Sequence, residues 1–217
     1  MQIVIIGTGG MAKEIWGLCR RMEYEILGFV TERQEWIDQF MGLPILASDT
    51  KFLRDERKNC VIANGSPDVR RKIAGTYLGS AHRFPNIIHP AVHCLGEIEL
   101  GLQGITIMPG GVIQPDVKID DFVHINMGVT IGHDVTIGRY SVVNHNAGIS
   151  GDVEIGEACL VGAGATIIEG NAIGDGATVG AGAVVTKNVP PGETWVGVPA
   201  RPLVRAKPTY AEIYGVQ

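Results

Sequence analysis

Ile125-Asn-Met-Gly-Val-Thr-Ile-Gly-His-Asp-Val-Thr-Ile-Gly138 returns isoleucine at 125, 131 and 137, a spacing of six. Carried outward in both directions, the same frame meets only Ile or Val: Ile107, Ile113, Ile119, Val143, Ile149, Ile155, Val161, Ile167, Ile173, Val179 and Val185. Four residues further on runs a second register of small or β-branched residues, Val117, Val123, Val129, Val135, Ser141, Ala147, Val153, Cys159, Ala165, Ala177, Ala183 and Val189, with Asn171 its one odd member. Six matches neither the 3.6 of an amphipathic helix nor the 2 of a half-buried strand; it is the period of a parallel β-helix. Each hexapeptide contributes one inward aliphatic residue, and stacking turns joins them into a core that no single repeat can bury. Gly132, Gly138, Gly156, Gly162, Gly174 and Gly180 directly follow the aliphatic position, where backbone freedom and small size ease tight corners. A disordered Gly/Val tract would not hold two registers in step for this long.

Composition narrows the class. Thirty glycines with 6% aromatic residues suit a repeat solenoid, and 45% hydrophobic residues suffice for a core. A net charge of −5 with no basic stripe argues against nucleic acid or an anionic membrane as partner. Cys19, Cys60, Cys94 and Cys159 lie far apart with no CxxC spacing, so no zinc site or disulfide framework is expected. Without a leader or a long apolar run, the expected location is the cytoplasm.

The chain opens on an aliphatic run, Gln2-Ile-Val-Ile-Ile6, that delivers into Gly7-Thr-Gly-Gly-Met-Ala12. Gly7, Gly9 and Ala12 fit G-x-G-x-x-(G/A), the strand–turn–helix in which bare backbone and a helix N-terminus receive a phosphate. A helix is expected over about 10–22, a strand over 26–30, a helix around 34–40, an extended stretch at Pro44, a helix after Ser48 or Asp49, a strand over 60–63, and a helix to about Leu78 capped by Ser66 with Pro67 in its first turn. After the second strand, Thr31 and Glu32 stand where a ribose hydroxyl is taken in dinucleotide folds. These units make one mononucleotide half and leave no room for a nicotinamide half, so an oxidoreductase is not favoured. The expected fold is a small N-terminal α/β Rossmann-like half-domain over residues 1–86, a parallel β-helix over 87–203, and a C-terminal tail over 204–217. Residues 89–106 read as an irregular lead-in, with Leu95 in the hexapeptide frame.

Ionisable groups are few inside such a repeat, which singles out His124, His133 and His145. His133 and Asp134 together supply an imidazole and the carboxylate that fixes its tautomer and raises its basicity, provided a corner lets neighbouring side chains meet. Cys159 belongs to the small-residue register and reads as core.

The hexapeptides, the Gly180-Ala-Gly-Ala-Val-Val-Thr-Lys-Asn-Val-Pro-Pro-Gly192 run, Trp195-Val-Gly-Val-Pro-Ala-Arg201 and the Gly-His-Asp hexapeptide together resemble the hexapeptide-repeat sugar acetyltransferases of the PglD and NeuD type. The resemblance spans essentially the whole chain. It implies a left-handed β-helix with three hexapeptides per turn, hence four to five turns over 107–185, and a homotrimer. It implies transfer of acetyl from acetyl-CoA to the amino group of a nucleotide-linked amino sugar, with His133 as general base, Asp134 orienting it, backbone amides at the corners stabilising the oxyanion, and no metal. It further implies a nucleotide on Gly7, Thr8, Gly9, Gly10, Met11 and Gly65, with Thr31 and Glu32 beside them. Acetyl-CoA would lie in a groove between neighbouring β-helices lined by Gly151, Ala163 and Ala181, with Lys187 and Arg201 as cations that solvent alone also explains. Val142 stands where many relatives carry a second histidine, a role open to His145 or Asn146. Alternatives are O-acetylation of a sialic acid, a carbonic-anhydrase-type metalloenzyme using His124, His133 and His145, or a catalytically silent scaffold.

Overall fold

A computed structural model of the chain describes residues 1–31, 38–47, 52 and 56–203. Strand β1 (Gln2–Ile6) leads through Gly7 into helix α1 (Gly10–Arg21), and β2 (Glu25–Val30) returns beside β1. With β3 (Gln39–Phe40), β4 (Leu43–Ala47) and β5 (Cys60–Ile62) they form a sheet ordered β3-β4-β2-β1-β5, parallel except for β3. Parallel strands covered on both sides are expected to be continuous aliphatic runs, and Ile3, Val4, Ile5 and Ile6 are all buried. Helix α2 (Pro67–Tyr77) starts as expected, with the Ser66 hydroxyl accepting from the Val69 amide and Pro67 in the first turn. The helix expected around 34–40 is not formed in its described part: residues 39–40 are a strand, turned back on β4 by Met41 and Gly42, both with positive φ. The helix after Ser48 falls outside the described residues except at Phe52, as do Glu32 and the tail from residue 204.

The rest is a parallel β-helix with, among the described residues, eighteen short parallel strands on three faces, closed by the antiparallel strand Arg201–Pro202. The first face begins with Ile87–Ile88 and continues through Thr106–Ile107, His124–Ile125, Val142–Val143, Leu160–Val161, Thr178–Val179 and Thr194–Val196. The second includes Val112–Ile113, Thr130–Ile131 and Gly148–Ile149; the third includes Val117–Ile119, Thr136–Ile137 and Glu154–Ile155. All fourteen aliphatics of the six-residue frame are at most 3% exposed, and the second register lines the same core. Its polar members are satisfied internally: Ser141 Oγ donates to the Gly156 carbonyl and accepts from the Cys159 amide, while Asn171 Nδ2 donates to the carbonyls of Ile168 and Glu169. Buried polar groups of this kind are tolerated when bonded.

Two expectations are corrected. Residues 89–106 are not a lead-in but belong to the first turn, which is nineteen residues long where the next four are eighteen and the last is sixteen: Ile87 pairs with Thr106, Thr106 with His124, and Thr178 with Thr194. One extra residue shifts the frame, so His93–Cys94 pairs with Val112–Ile113 and Leu95 falls outside the core at 62% exposed. This gives six turns. The glycines after the aliphatic positions are needed for their size alone: a Cβ at Gly138 would lie 2.6 Å from the Gly156 carbonyl carbon one turn on. The left-handed backbone sits two residues later instead, at every sixth position from Gly104 to Gly182, and includes Asp116, Asp134, Asn146 and Asp152.

The α/β unit rides on the first face. Arg70, fully buried, donates through Nε and Nη2 to the carbonyl of Phe122 and through Nη1 to those of Ile62 and Asn64. Phe84, Phe122 and Tyr140 continue an aromatic row across the seam, and Glu14 accepts from Asn126.

Candidate active site

Strand Thr130–Ile131 ends at Gly132, and the corner His133-Asp134 turns the chain from the second face onto the third. Asp134 adopts φ +58°, a left-handed conformation that aspartate tolerates better than most residues. That turn brings its side chain back on its neighbour, and His133 Nδ1 lies 2.8 Å from Asp134 Oδ2. Both groups are about half exposed, open to a substrate. The Asp134 hydrogen bond raises the His133 pKa, its charge and those of Asp152 and Glu169 add to the rise, and desolvation opposes it. The result is an oriented imidazole of increased basicity, the requirement for a general base.

The corners stack along the axis: the Asp152 amide donates to the His133 carbonyl and the Gly170 amide to the Gly151 carbonyl. The His133 ring therefore rests on Gly151, where a Cβ would come within 2.6 Å of Nε2. Lys187 stands three turns from His133 on this same edge, about 14 Å at a strand spacing of ~4.8 Å. Ala163 and Ala181 occupy a different edge, between the first and second faces, with His145 one turn before them. Their flanking glycines give their amides to the backbone ladder, Gly162 to Val179, Gly164 to His145, Gly180 to Trp195 and Gly182 to Ala163. Among the described residues the ladder leaves out the amides of Gly151, Ala163 and Ala181, as it does those of the equivalent corner residues His133, His145 and Glu169.

The other candidates separate from this site. His124 is fully buried on the first face, its Nδ1 2.7 Å from Thr106 Oγ1, and burial followed by the Arg70 charge pushes its pKa down to about 3. Buried in this way it is out of reach of an external ligand, so His124, His133 and His145 do not form a three-histidine metal site in this chain. Val142 is wholly buried beside His124 and offers no contact to a ligand. The Cys159 thiol is buried, pushed up to about 11 by desolvation, and donates to the Gly174 carbonyl; it is no nucleophile. Among the described residues the donor set that fits a cation is His133, Asp134 and Asp152, with ligand atoms within 4.8 Å of one another. All three are exposed, a common arrangement without an ion, and the two carboxylates provide the charge setting of the imidazole.

A second concavity lies in the α/β unit. Gly7, Thr8, Gly9, Gly10, Met11, Thr31 and Gly65 all line one cavity of about 350 Å³, together with Asn64 and the ends of β1, β2 and β5. Gly7 has φ +125°, and a Cβ there would meet the Ala63 carbonyl oxygen at 2.6 Å. Gly9 and Gly10 open α1 with nothing within 4 Å of a would-be Cβ, leaving the helix N-terminus clear for an anion. Asn64, missed from the sequence, could have been found from its place at the end of β5.

Residues 2–77 match the family described as PglD N-terminal domain, residues 134–169 the bacterial transferase hexapeptide, and residues 152–187 the hexapeptide repeat of succinyl-transferase. Curated protein sequences give no match. Among solved structures, WeeI from Acinetobacter baumannii is 30% identical, with 94% of this chain and 100% of that chain covered at a TM-score of 0.82. PerB from Caulobacter crescentus, in complex with CoA and GDP-perosamine, is 28% identical over 94% of this chain and 98% of its own, with a TM-score of 0.86. The acetyltransferase domain of PglB from Neisseria gonorrhoeae, in complex with acetyl coenzyme A, is 27% identical over 93% and 98%, with a TM-score of 0.85. An oriented imidazole, a bare-backbone cavity and a six-turn β-helix thus occur in one chain with full-length relatives, and the protein belongs to the hexapeptide-repeat sugar N-acetyltransferases of the PglD type.

Proposed function

We propose that the chain acetylates the amino group of a nucleotide-linked amino sugar with acetyl-CoA, using His133 as general base. The observation that carries this reading is the His133–Asp134 hydrogen bond at an open corner. Asp134 holds the proton on Nδ1, leaving Nε2 to accept one from the sugar amine as its nitrogen attacks the thioester carbonyl. A C–N bond forms, the C–S bond breaks, and the proton taken by Nε2 passes to the departing CoA sulfur. The nucleotide occupies the Gly7–Met11 cavity, as the helix N-terminus and bare backbone favour.

Two protomers are needed for the site. The α/β unit covers the first face, and in a coil of three faces the corner of His133 is the edge opposite. Gly151 and Lys187 lie on that edge, while Ala163 and Ala181 lie on another. A cyclic trimer, the arrangement the family resemblance implies, sets one protomer's His133 edge against the next protomer's Ala163 edge and closes a groove for CoA between them.

The test is CoA release from acetyl-CoA over a panel of UDP-, GDP- and dTDP-linked amino sugars and free sialic acids, with wild type beside His133→Ala. Turnover with one amino sugar, reduced by roughly 10²–10⁴ in the variant, is expected. Activity confined to sialic acids, or an undiminished variant, would overturn the reading.

A further inference from the structure

Residues Gly151 and Asp152 form the corner one turn beyond His133 and Asp134, tied to it by the Asp152 amide on the His133 carbonyl. Asp152 shares the left-handed backbone of Asp134, at φ +56° against +58°. Equal backbone and an eighteen-residue step stack the two carboxylates on one edge, and a ligand atom of Asp152 lies within 4.8 Å of the nearest ones of His133 and Asp134. Gly151 supplies the space: only a residue without Cβ lets the imidazole lean across this corner. We propose that Asp152 is a positioning residue for acetyl transfer, a second carboxylate that, with Gly151 as the seat of the ring, holds His133 ready to receive and carry the substrate proton. This rests on His133 being the base. The charged groups facing the ring are Asp134 on its own corner, Asp152 one turn on and Glu169 two turns on, so Asp152 is the nearer of the two carboxylates added by stacking.

The experiment compares wild type, Asp152→Asn and Glu169→Gln in two readouts: the pH profile of kcat/KM, and the NMR titration of the His133 imidazole, with His133→Ala identifying its resonance. Asparagine keeps the shape and suits the left-handed corner, so folding is preserved. With the carboxylate gone, the imidazolium loses support: the acid limb and the His133 titration both move to lower pH, further than in Glu169→Gln, and kcat/KM falls about threefold to tenfold, a fraction of what a general base contributes. An Asp152→Asn titration superimposed on wild type overturns the proposal. Full turnover in His133→Ala would instead remove the base reading, while the NMR titration would still decide whether Asp152 acts on the ring.

Discussion

His133 meets Asp134 only because Asp134 turns back on it, and Asp134 turns back because it occupies the left-handed position of its corner; the proposed role of His133 as base depends on that contact. Asparagine also accepts that backbone, so Asp134→Asn separates charge from conformation. An amide offers a donor as readily as an acceptor and selects the wrong imidazole tautomer, a substitution that elsewhere costs a triad enzyme about 10⁴-fold. We expect kcat/KM to fall by at least about 10²-fold here, with unchanged thermal unfolding. The raised pKa of His133 fixes the sign of the pH response. A base works unprotonated, so the wild-type acid limb lies above the usual imidazole value of about 6.5, and Asp134→Asn moves it down. A pH–rate profile with an unmoved limb would contradict the orienting role. Neighbouring residues on extended backbone diverge, so the pair itself was visible in the sequence only as an adjacency and a family motif; the contact needed the corner.

The element that joins the two halves of the molecule is the seam on the first face, where Arg70 binds three carbonyls and His124 lies buried with Nε2 lacking a partner among the described residues. The unfolded chain protonates this histidine at about 6.5, the folded one at about 3. Its contribution to stability is therefore complete above about 6.5 and is lost as pH falls from there toward 3, with a slope of at most about 1.4 kcal/mol per pH unit. Between pH 6.5 and 5, the urea midpoint of wild type should fall more steeply than that of His124→Gln; equal slopes would refute this. The seam also marks where sequence reading stops. The six-residue frame from Ile107 to Val185 was legible because every inward position repeats, whereas the first turn was not, because one extra residue moves Leu95 out and Cys94 into the paired strand. His124 and Val142 share a column on that face, and their burial comes from the α/β unit above, which no local pattern in the β-helix records. Likewise the Gln39–Phe40 hairpin strand carries an apolar residue at helical spacing and is decided by the Met41-Gly42 turn.

At the scale of the whole molecule, the proposed nucleotide cavity lies in the α/β unit that rides on the first face, whereas His133, the proposed base, lies on the edge between the other two faces. Their separation follows from topology: the α/β unit hands over to the β-helix at Ile87–Ile88 on the first face, and the Gly-His-Asp corner falls between the other two. If each site takes its cavity from one protomer and His133 from the next, two inactive variants must rescue each other. Gly9→Leu puts a side chain into the cavity at a position where a Cβ meets nothing within 4 Å and is expected to block the nucleotide; His133→Ala removes the proposed base. Neither alone should turn over. Unfolded together in equal amounts and refolded, they assort at random, and one ordered pair in four joins an intact cavity to an intact histidine across a cyclic interface. Recovery of about a quarter of wild-type kcat is then expected, measured by CoA release after refolding, with separately refolded and then mixed variants as the inactive control. A site contained in one chain predicts no recovery in either mixture, since every chain would carry one of the two lesions.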